Sequence, residues 1–464
     1  MKKTKKLVTF GILSLAGCAS LNFLVLLKVF ETYDNIHSWS RGSNLDEPRP
    51  RVTDESQANT TDDGNSLQDR RFPTYGTAAF SRQCPWAVQN PDKKRNCTIL
   101  ARPLPPYQEG ISNWVAQIAA GRIVAQQTGC HLLLDYSYAK GVDKRMDVVN
   151  IHEVLKPFAN LDSDRPPINW TVPSDYDCDT DRRCFVAQPG YNHRGDTLSK
   201  IENAIGVGNL SDTPMYRFGY AMTKSSFLYA DEFRDLQRAL PGFEVETGMA
   251  CSLGSVFELA PSASKFEPEL FSRILPTLHS KDAFVMSLYI RTGQTDMNTH
   301  HEEKGGGILA PENATVHRKM ASKILKCALH LEKLQLSERS YSRVVWMIVT
   351  DSQYLKQWIT ESYDTLYSNI SDSTMSREVI TTQSRGIHTR SKRGPTTADF
   401  AQAMIDWYLI GESDLVVSDD SSVSFGGTAT LRTARPLYKL SYYDDSDICS
   451  RTILVHTRDN TTVS

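Results

Sequence analysis

Apolar strands alternate with helices along the second half of the chain, and this alternation narrows the choice of fold more than any other feature. Two nearly uninterrupted apolar runs, AFVMSLYI at 283–290 and RVVWMIVT at 343–350, have the length and composition of strands buried on both faces. Shorter strands are predicted at 379–382 and 415–418, with helical periodicity between the strands. Strands that alternate with helices form parallel sheets. The pattern therefore predicts an α/β fold with a Rossmann-like parallel sheet over residues 283–440.

The last unit of this sheet ends in a loop rich in serine and glycine. Phe400, Met404 and Trp407 recur at helical spacing, and Gly411 is predicted to end the helix in a left-handed conformation. Glycines after a strand let the backbone approach a ligand, and a new helix offers unpaired N–H groups to an anion. The segment is interpreted either as a nucleotide diphosphate pocket or as a polar turn that solvates the strand end. The candidate donor-binding residues are Ser421, Ser422, Phe425, Gly426, Gly427 and Thr428.

Charged residues follow the two long strands directly. Arg291 comes after the strand at 283–290, where its planar guanidinium could bind a pyrophosphate or form a structural ion pair with Asp296. Asp351 comes after the strand at 343–350. Ligands of open α/β sheets bind beyond the carboxyl ends of the strands. We therefore expect Arg291, Asp351 and residues 421–428 to lie on one rim of a cleft.

A second helix and strand open an earlier domain. Residues 110–113 are predicted to form a tight loop, followed by a helix that Gly129 ends and a strand at 131–135. Asn113 is interpreted as a helix N-cap or as a polar group at the mouth of the cleft. Residues 249–259 are predicted to form an apolar helix that closes this domain.

The N-terminus predicts a membrane anchor. Residues 1–6 carry four lysines, and residues 7–27 form a run of 21 residues without a charge, long enough to span a bilayer. A lipoprotein-type cleavage at Cys18 is the alternative, but the uncharged run continues beyond it. We therefore expect a single-pass type II protein with a cytosolic tail, a signal anchor and a flexible stem at 28–80, which is polar and rich in turn residues.

Sequons and cysteines indicate that the remainder of the chain is luminal. Seven asparagines begin Asn-X-Ser/Thr motifs, as expected for a glycoprotein of the secretory pathway, and a Golgi location is predicted. These asparagines are Asn59, Asn96, Asn169, Asn209, Asn313, Asn369 and Asn460. Eight cysteines follow the anchor, and two pairs close in sequence, Cys84 with Cys97 and Cys178 with Cys184, could form disulfides or remain buried thiols. Cys251 is interpreted as packed or disulfide-bonded rather than catalytic.

The net charge and the spacing of acidic residues give no support for nucleic-acid binding or for a calcium loop. The net charge of −2 gives no argument for nucleic-acid binding. The acidic run at 175–181 lacks the glycine turn and the closing glutamate of a calcium loop. The residues His300, His301, Glu302 and Glu303 could form a metal site, but they lie beside a Gly-rich segment at 305–307 and are interpreted as a loop, so no metal site is predicted.

With these residues assembled, the chain resembles the fucosyltransferase superfamily of GT-B glycosyltransferases. It is most similar in appearance to the plant-type xyloglucan α1,2-fucosyltransferases and more distantly similar to the α1,6- and protein O-fucosyltransferases. Tyr289 stands where that family has His or Gln. The segments that carry the resemblance are 110–135, 251–259, 289–291, 349–352 and 413–427.

The resemblance implies an inverting, metal-independent transfer of fucose from GDP-fucose to a hydroxyl of a glycan acceptor. It implies two Rossmann-like domains facing a cleft, an acceptor-side domain at 81–280 and a nucleotide-sugar-binding domain at 281–464. Arg291 would then be the catalytic residue, with Asp296 and Asp351 on the donor side. The acceptor base could be Asp135, Asp296, Asp351 or Asp399. The alternatives are a GT-B enzyme with another nucleotide-sugar donor and a non-catalytic glycan-binding protein on a transferase scaffold.

Overall fold

Residue contacts divide the chain into two units, residues 1–64 and 65–464, and every described residue lies in the second unit. Among the described residues, no helix has both the length and the apolar character needed to cross a membrane, and the predicted span at 7–27 lies outside them. A computed structural model describes residues 72–88, 98–101, 111–129, 131–134, 153–157, 184–187, 215–218, 242–292, 311–338, 340–367, 376–386, 396–418, 425–440 and 449–452.

The elements before residue 283 are short, apart from one long helix. In chain order they are α1 (Ala78–Gln83), α2 (Pro85–Val88), β1 (Thr98–Ala101), α3 (Ile111–Thr128), β2 (His131–Leu134), β3 (Leu155–Pro157), β4 (Cys184–Ala187), β5 (Met215–Phe218), α4 (Val245–Gly254), β6 (Phe257–Leu259), a 3₁₀ turn (Pro261–Lys265), a π turn (Leu270–Ile274) and α5 (Leu275–Leu278).

The elements after residue 283 alternate as the apolar pattern predicts. They are β7 (Ala283–Ile290), α6 (Pro311–Glu338), β8 (Arg343–Thr350), α7 (Gln353–Tyr367), β9 (Ser376–Thr381), α8 (Thr397–Ile410), β10 (Leu415–Ser418), α9 (Phe425–Arg432), β11 (Leu437–Leu440) and β12 (Cys449–Thr452).

Two main sheets are present among the described residues, and both are built from parallel strands. The first has the order β2-β1-β5-β4, and the second has the order β12-β11-β10-β7-β8-β9, in which only β12 runs antiparallel to its neighbour. Every residue of β7 and β10 is buried, as is all of β8 except Arg343. The predicted α/β class with a parallel multi-stranded sheet is confirmed. The domain boundary at residue 280 stays a prediction.

The first helix and the closing helix differ in extent from the sequence prediction. Ile111 already belongs to α3, so Asn113 lies inside the helix and is not its N-cap, and the predicted loop at 110–113 is wrong. Gly129 follows α3 with a φ of +75°, as predicted. The apolar run predicted as one helix at 249–259 contains parts of two elements. Helix α4 ends at Gly254, and the residues of β6 pair antiparallel with β3 instead of continuing the helix.

Helix α8 buries the predicted face but ends differently. Phe400, Met404 and Trp407 are buried. Gly411 has a φ of −70°, so the predicted left-handed cap is wrong. Its lack of a side chain is explained by packing, because a Cβ there would lie 2.7 Å from the Ala429 carbonyl oxygen and 2.7 Å from Arg432 Nη2. Glycine at 411 therefore lets α9 approach the end of α8.

Cysteine pairing joins distant parts of the chain. Cys84 bonds to Cys251, 167 residues away, so the predicted pairing of Cys84 with Cys97 is wrong. A second disulfide joins Cys327 on α6 to Cys449 on β12. The disulfide interpretation of Cys251 is confirmed. The predicted partner Cys178 lies outside the described residues.

Candidate functional site

Three buried strands end side by side at one edge of the large sheet. In the registers of β7 with its two neighbours, Ile290 lies opposite Thr350 and Tyr289 lies opposite Ser418. We call the end of the sheet formed by Ile290, Thr350 and Ser418 the carboxyl edge. Because the strands are parallel, all three end at this edge, and Arg291 and Asp351 directly follow two of them.

A carboxylate holds the turn that follows Arg291. Both the backbone N–H and the hydroxyl of Thr292 donate to Asp351 Oδ1, at 2.7 and 2.8 Å. Arg291 and Thr292 are half-buried, and Asp351 is buried. The ends of β7 and β8 are thus joined through side chains as well as through the sheet. Asp296, the partner that the sequence suggested, lies outside the described residues.

The first turn of α9 packs on the end of β7. The ring of Phe425 stacks on the ring of Tyr289 with centroids 5.3 Å apart and an interplanar angle of 28°. A Cβ on Gly426 would lie 3.0 Å from Tyr289 Cδ1, so glycine allows this close approach. The helix start therefore lies beside the strand that leads into Arg291, and its leading N–H groups have no partners within the helix.

Thr428 has a packing role in this arrangement. Trp407 Nε1 donates to Thr428 Oγ1 at 3.0 Å, and the same hydroxyl donates to the Phe425 carbonyl oxygen at 3.2 Å. The bond from Trp407 ties α9 to α8, and the bond to Phe425 lies within α9. Gly427 is buried, and its carbonyl oxygen accepts from Thr430 Oγ1 at 2.7 Å. The predicted Ser421 and Ser422 lie outside the described residues.

Asp399, one of the candidate bases, forms an ion pair with Arg385. Both oxygens of Asp399 bind the fork of Arg385, at 3.0 and 2.8 Å, and Asp399 completes a capping box with Thr396. Burial would raise the pKa of Asp399, but the Arg385 and Thr396 bonds outweigh burial and lower the pKa. A carboxylate with a lowered pKa is a weaker proton acceptor. Asp135 lies outside the described residues.

A histidine that was not predicted as a site residue lies near Asp351. His317 lies in the second turn of α6, and its Nδ1 is buried without a hydrogen-bond partner among the described residues. Burial lowers the pKa of His317, while the nearby Asp351 carboxylate opposes that change. An imidazole with a lowered pKa is neutral at pH 7 and can accept a proton. His317 lies in an amphipathic helix, and nothing in the sequence around it indicates that it is close to Asp351.

Charged side chains buried beneath the loop after β9 were also missed. Glu267, Lys356 and Asp406 are each less than a tenth exposed. A local signal existed for Asp406 alone, since it interrupts the apolar sequence AMIDWYLI. Within the described ranges, no cluster of three or more His, Cys, Asp or Glu side chains could hold a metal ion.

The six predicted glycosylation sites other than Asn313 lie outside the described residues. Asn313 itself lies in the first turn of α6. The predicted cleft residue Asn113 lies in the first turn of α3, and its role stays a prediction.

Comparisons with known proteins find similarity only among solved structures. No protein-family model and no curated protein sequence matches the chain. The Arabidopsis thaliana FUT1 mutant in complex with GDP is 14% identical, with 83% of this chain and 80% of that chain covered and a TM-score of 0.46. The fucosyltransferase NodZ from Bradyrhizobium is 14% identical, with 77% and 99% covered and a TM-score of 0.39. NodZ α-1,6-fucosyltransferase soaked with GDP-fucose is 12% identical, with 77% and 99% covered and a TM-score of 0.38. Similarity at this level does not assign the activity of either enzyme to the protein.

Proposed function

We propose that the protein is a glycosyltransferase that transfers fucose from GDP-fucose to a hydroxyl of a glycan, with inversion and without an obligatory metal. One observation carries the proposal. The turn at Arg291, held by Asp351, and the glycine-containing start of α9, packed on Tyr289, lie together at the carboxyl edge. A guanidinium and a helix N-terminus side by side form a suitable site for a diphosphate. The fucosyl donor rests on the resemblance in sequence.

The proposed chemistry is stabilisation of the leaving group. When the bond from the anomeric carbon to the diphosphate oxygen breaks, negative charge develops on the departing GDP. Arg291 and the N–H groups that begin α9 would neutralise this charge, and they are fixed before the reaction starts. The sugar would pass through an oxocarbenium-like state while the acceptor hydroxyl attacks from the opposite face.

The attacking hydroxyl must lose a proton. Of the four carboxylates proposed from the sequence, Asp399 is bound by Arg385 and Asp351 accepts two bonds from Thr292. His317 is therefore an additional candidate proton acceptor, because it lies near Asp351 and because burial, which lowers its pKa, keeps the imidazole neutral at pH 7 and able to accept a proton.

The larger arrangement belongs to the same proposal. A GT-B-like pair of Rossmann-like domains would place the acceptor opposite the carboxyl edge, and the two parallel sheets support this arrangement. The acceptor would bind on the side of residues 81–280, where Asn113 is the proposed polar contact.

A Golgi type II topology is proposed from the basic, then apolar N-terminus and the seven sequons. We expect glycosidase treatment of the full-length protein, expressed in a eukaryotic host, to increase its mobility on a gel. A protein whose mobility does not change, or one that is processed at Cys18, would contradict this topology.

A nucleotide screen by thermal shift tests the donor class. We expect GDP to raise the melting temperature, because a ligand at one hundred times its Kd adds about 2.7 kcal/mol to the free energy of unfolding. UDP and CMP at the same concentration serve as controls. A response specific to UDP or CMP would indicate a glycosyltransferase with another donor. No response to any nucleotide would favour a glycan-binding protein.

A further inference from the structure

The loop at 382–386 follows β9 and packs directly on Asp351. Its last residue, Gly386, has a φ of +67°. A Cβ built on Gly386 would lie 2.4 Å from Asp351 Cα and 2.6 Å from the Thr350 carbonyl oxygen. Glycine is therefore needed at 386 both for its backbone conformation and for the close approach. We call residues 382–386 the β9 loop. Its contact with Asp351 connects it to the turn that follows Arg291.

Side chains of helix α7 donate hydrogen bonds to backbone carbonyls of the β9 loop. Lys356 Nζ donates to the Thr382 carbonyl oxygen at 3.2 Å and also to the carbonyl oxygen of Ser384. Gln353 Nε2 donates to the same Ser384 oxygen at 2.7 Å. Because α7 begins two residues after Asp351, these bonds join the loop to the segment that carries the site carboxylate.

Two carboxylates from other elements also bind the loop. Glu267, between the 3₁₀ turn and the π turn, accepts from the Gln383 N–H at 2.7 Å. Asp406 on α8 accepts from Thr382 Oγ1 at 2.6 Å. Three elements that are distant in sequence therefore converge on three successive residues of the loop, Thr382 to Ser384.

The charged side chains of Glu267, Lys356 and Asp406 are buried, and a contribution to stability alone explains them poorly. Glu267, Lys356 and Asp406 are 2%, 6% and 3% exposed. Burial raises the pKa of both carboxyls and lowers that of Lys356. A whole group of buried charges can often be replaced together by well-packed apolar residues without loss of stability. Apolar residues, however, cannot bind the carbonyl and N–H groups that set the path of the loop.

We propose that Lys356 is a positioning residue that, with Glu267 and Asp406, keeps the β9 loop seated on Asp351. Through Asp351 and Thr292, the loop holds the turn at Arg291 in the geometry that binds the diphosphate. This role rests on the proposed function, because the group that it positions is the proposed diphosphate site. Lys356 itself need not touch the nucleotide.

Replacement of Lys356 by methionine tests the proposal with two measurements on the full chain. Hydrogen exchange should become about tenfold faster at the amides of Gln383 and Thr292, since each donates to a carboxylate in this network. Calorimetry should show GDP binding weakened about tenfold. The control is Gln357→Met on the adjacent, exposed position of α7, which should change neither quantity.

A second variant leaves every charge in place. Gly386→Ala adds one methyl group against the Asp351 backbone and should produce the same faster exchange at Thr292 and the same loss of GDP affinity. This variant decides the proposal if Lys356→Met fails to fold.

The outcomes separate this proposal from the proposed function. Suppose that Lys356→Met speeds hydrogen exchange at the Gln383 amide but leaves exchange at Thr292 and GDP affinity unchanged. In that case the buried charges are only structural, and the positioning role of Lys356 is wrong. If the wild type binds no GDP, the proposed function fails. Exchange at Thr292 then still decides whether the β9 loop positions this turn.

Discussion

Replacing Arg291 with lysine is expected to lower the rate of transfer from GDP-fucose by about a hundredfold or more, the loss typical of removing one preorganised charge-stabilising group. Lysine keeps the positive charge but loses the planar pair of N–H donors that matches a diphosphate. Alanine at 291 should lower the rate further. The measurement is single-turnover transfer at saturating donor, with circular dichroism and melting temperature to check folding.

Arg273→Lys is the matched control for this substitution. Arg273 on the π turn is about half exposed and pairs with Glu269 and with Glu378. Glu378 lies opposite Val345, five residues before the carboxyl edge at Thr350, so replacement of Arg273 should leave transfer unchanged. Near-normal transfer by Arg291→Ala would contradict the proposed mechanism. Loss of wild-type activity in the presence of a chelator would contradict its independence of metal.

Replacing Glu412 with glutamine is expected to lower the free energy of unfolding by about 3–5 kcal/mol at pH 7, the range for breaking one partner of a buried ion pair. Arg432 Nη2 donates to Glu412 Oε1 and to the Tyr408 carbonyl oxygen, and its guanidinium lies 3.7 Å from the centroid of the Tyr408 ring. His279 Nε2 lies 2.8 Å from Glu412 Oε2. Glutamine would leave the Arg432 charge buried without a counter-charge.

The same carboxylate makes stability depend on pH. Burial alone would raise the pKa of Glu412, but Arg432 and then His279 outweigh burial and lower the pKa from 4.5 to about 2. A lowered pKa stabilises the folded state above pH 4.5, and this contribution is lost as the pH falls from 4.5 to 2. Converting the pKa difference gives a contribution of about 3 kcal/mol.

Denaturant unfolding at several pH values measures both effects. The wild type should lose stability below pH 4.5 more steeply than Glu412→Gln, which lacks the titrating group. Glu269→Gln, in the half-exposed pair with Arg273, is the control and should cost less than about 1 kcal/mol. Equal stability of Glu412→Gln and the wild type at pH 7 would show that the buried pair contributes nothing.

The main sheet and its carboxyl edge could be predicted from the order of apolar runs and helices along the chain. The apolar runs that became β7 and β8 were recognisable because a strand buried on both faces contains almost no polar residues. Parallel order follows from the helices between the strands, and parallel order places Arg291 and Asp351 at one edge. These inferences depend on residues close in sequence, where periodicity carries the information.

Contacts between groups that are distant in sequence could not be predicted and were found in the folded structure. Closeness in sequence suggests a disulfide between Cys84 and Cys97, whereas folding brings Cys84 to Cys251. Asn113 has a residue type common at N-caps, but α3 begins two residues earlier.

Gly411 shows the same division between local and distant causes. Glycine after a helix predicts a left-handed cap, yet the reason for glycine here is the approach of α9, which begins fourteen residues later. The bonds from Lys356, Glu267 and Asp406 to the β9 loop likewise join elements that share no local pattern. A hydrogen bond between distant residues depends on where the whole chain brings each group, and no short stretch of sequence contains that information.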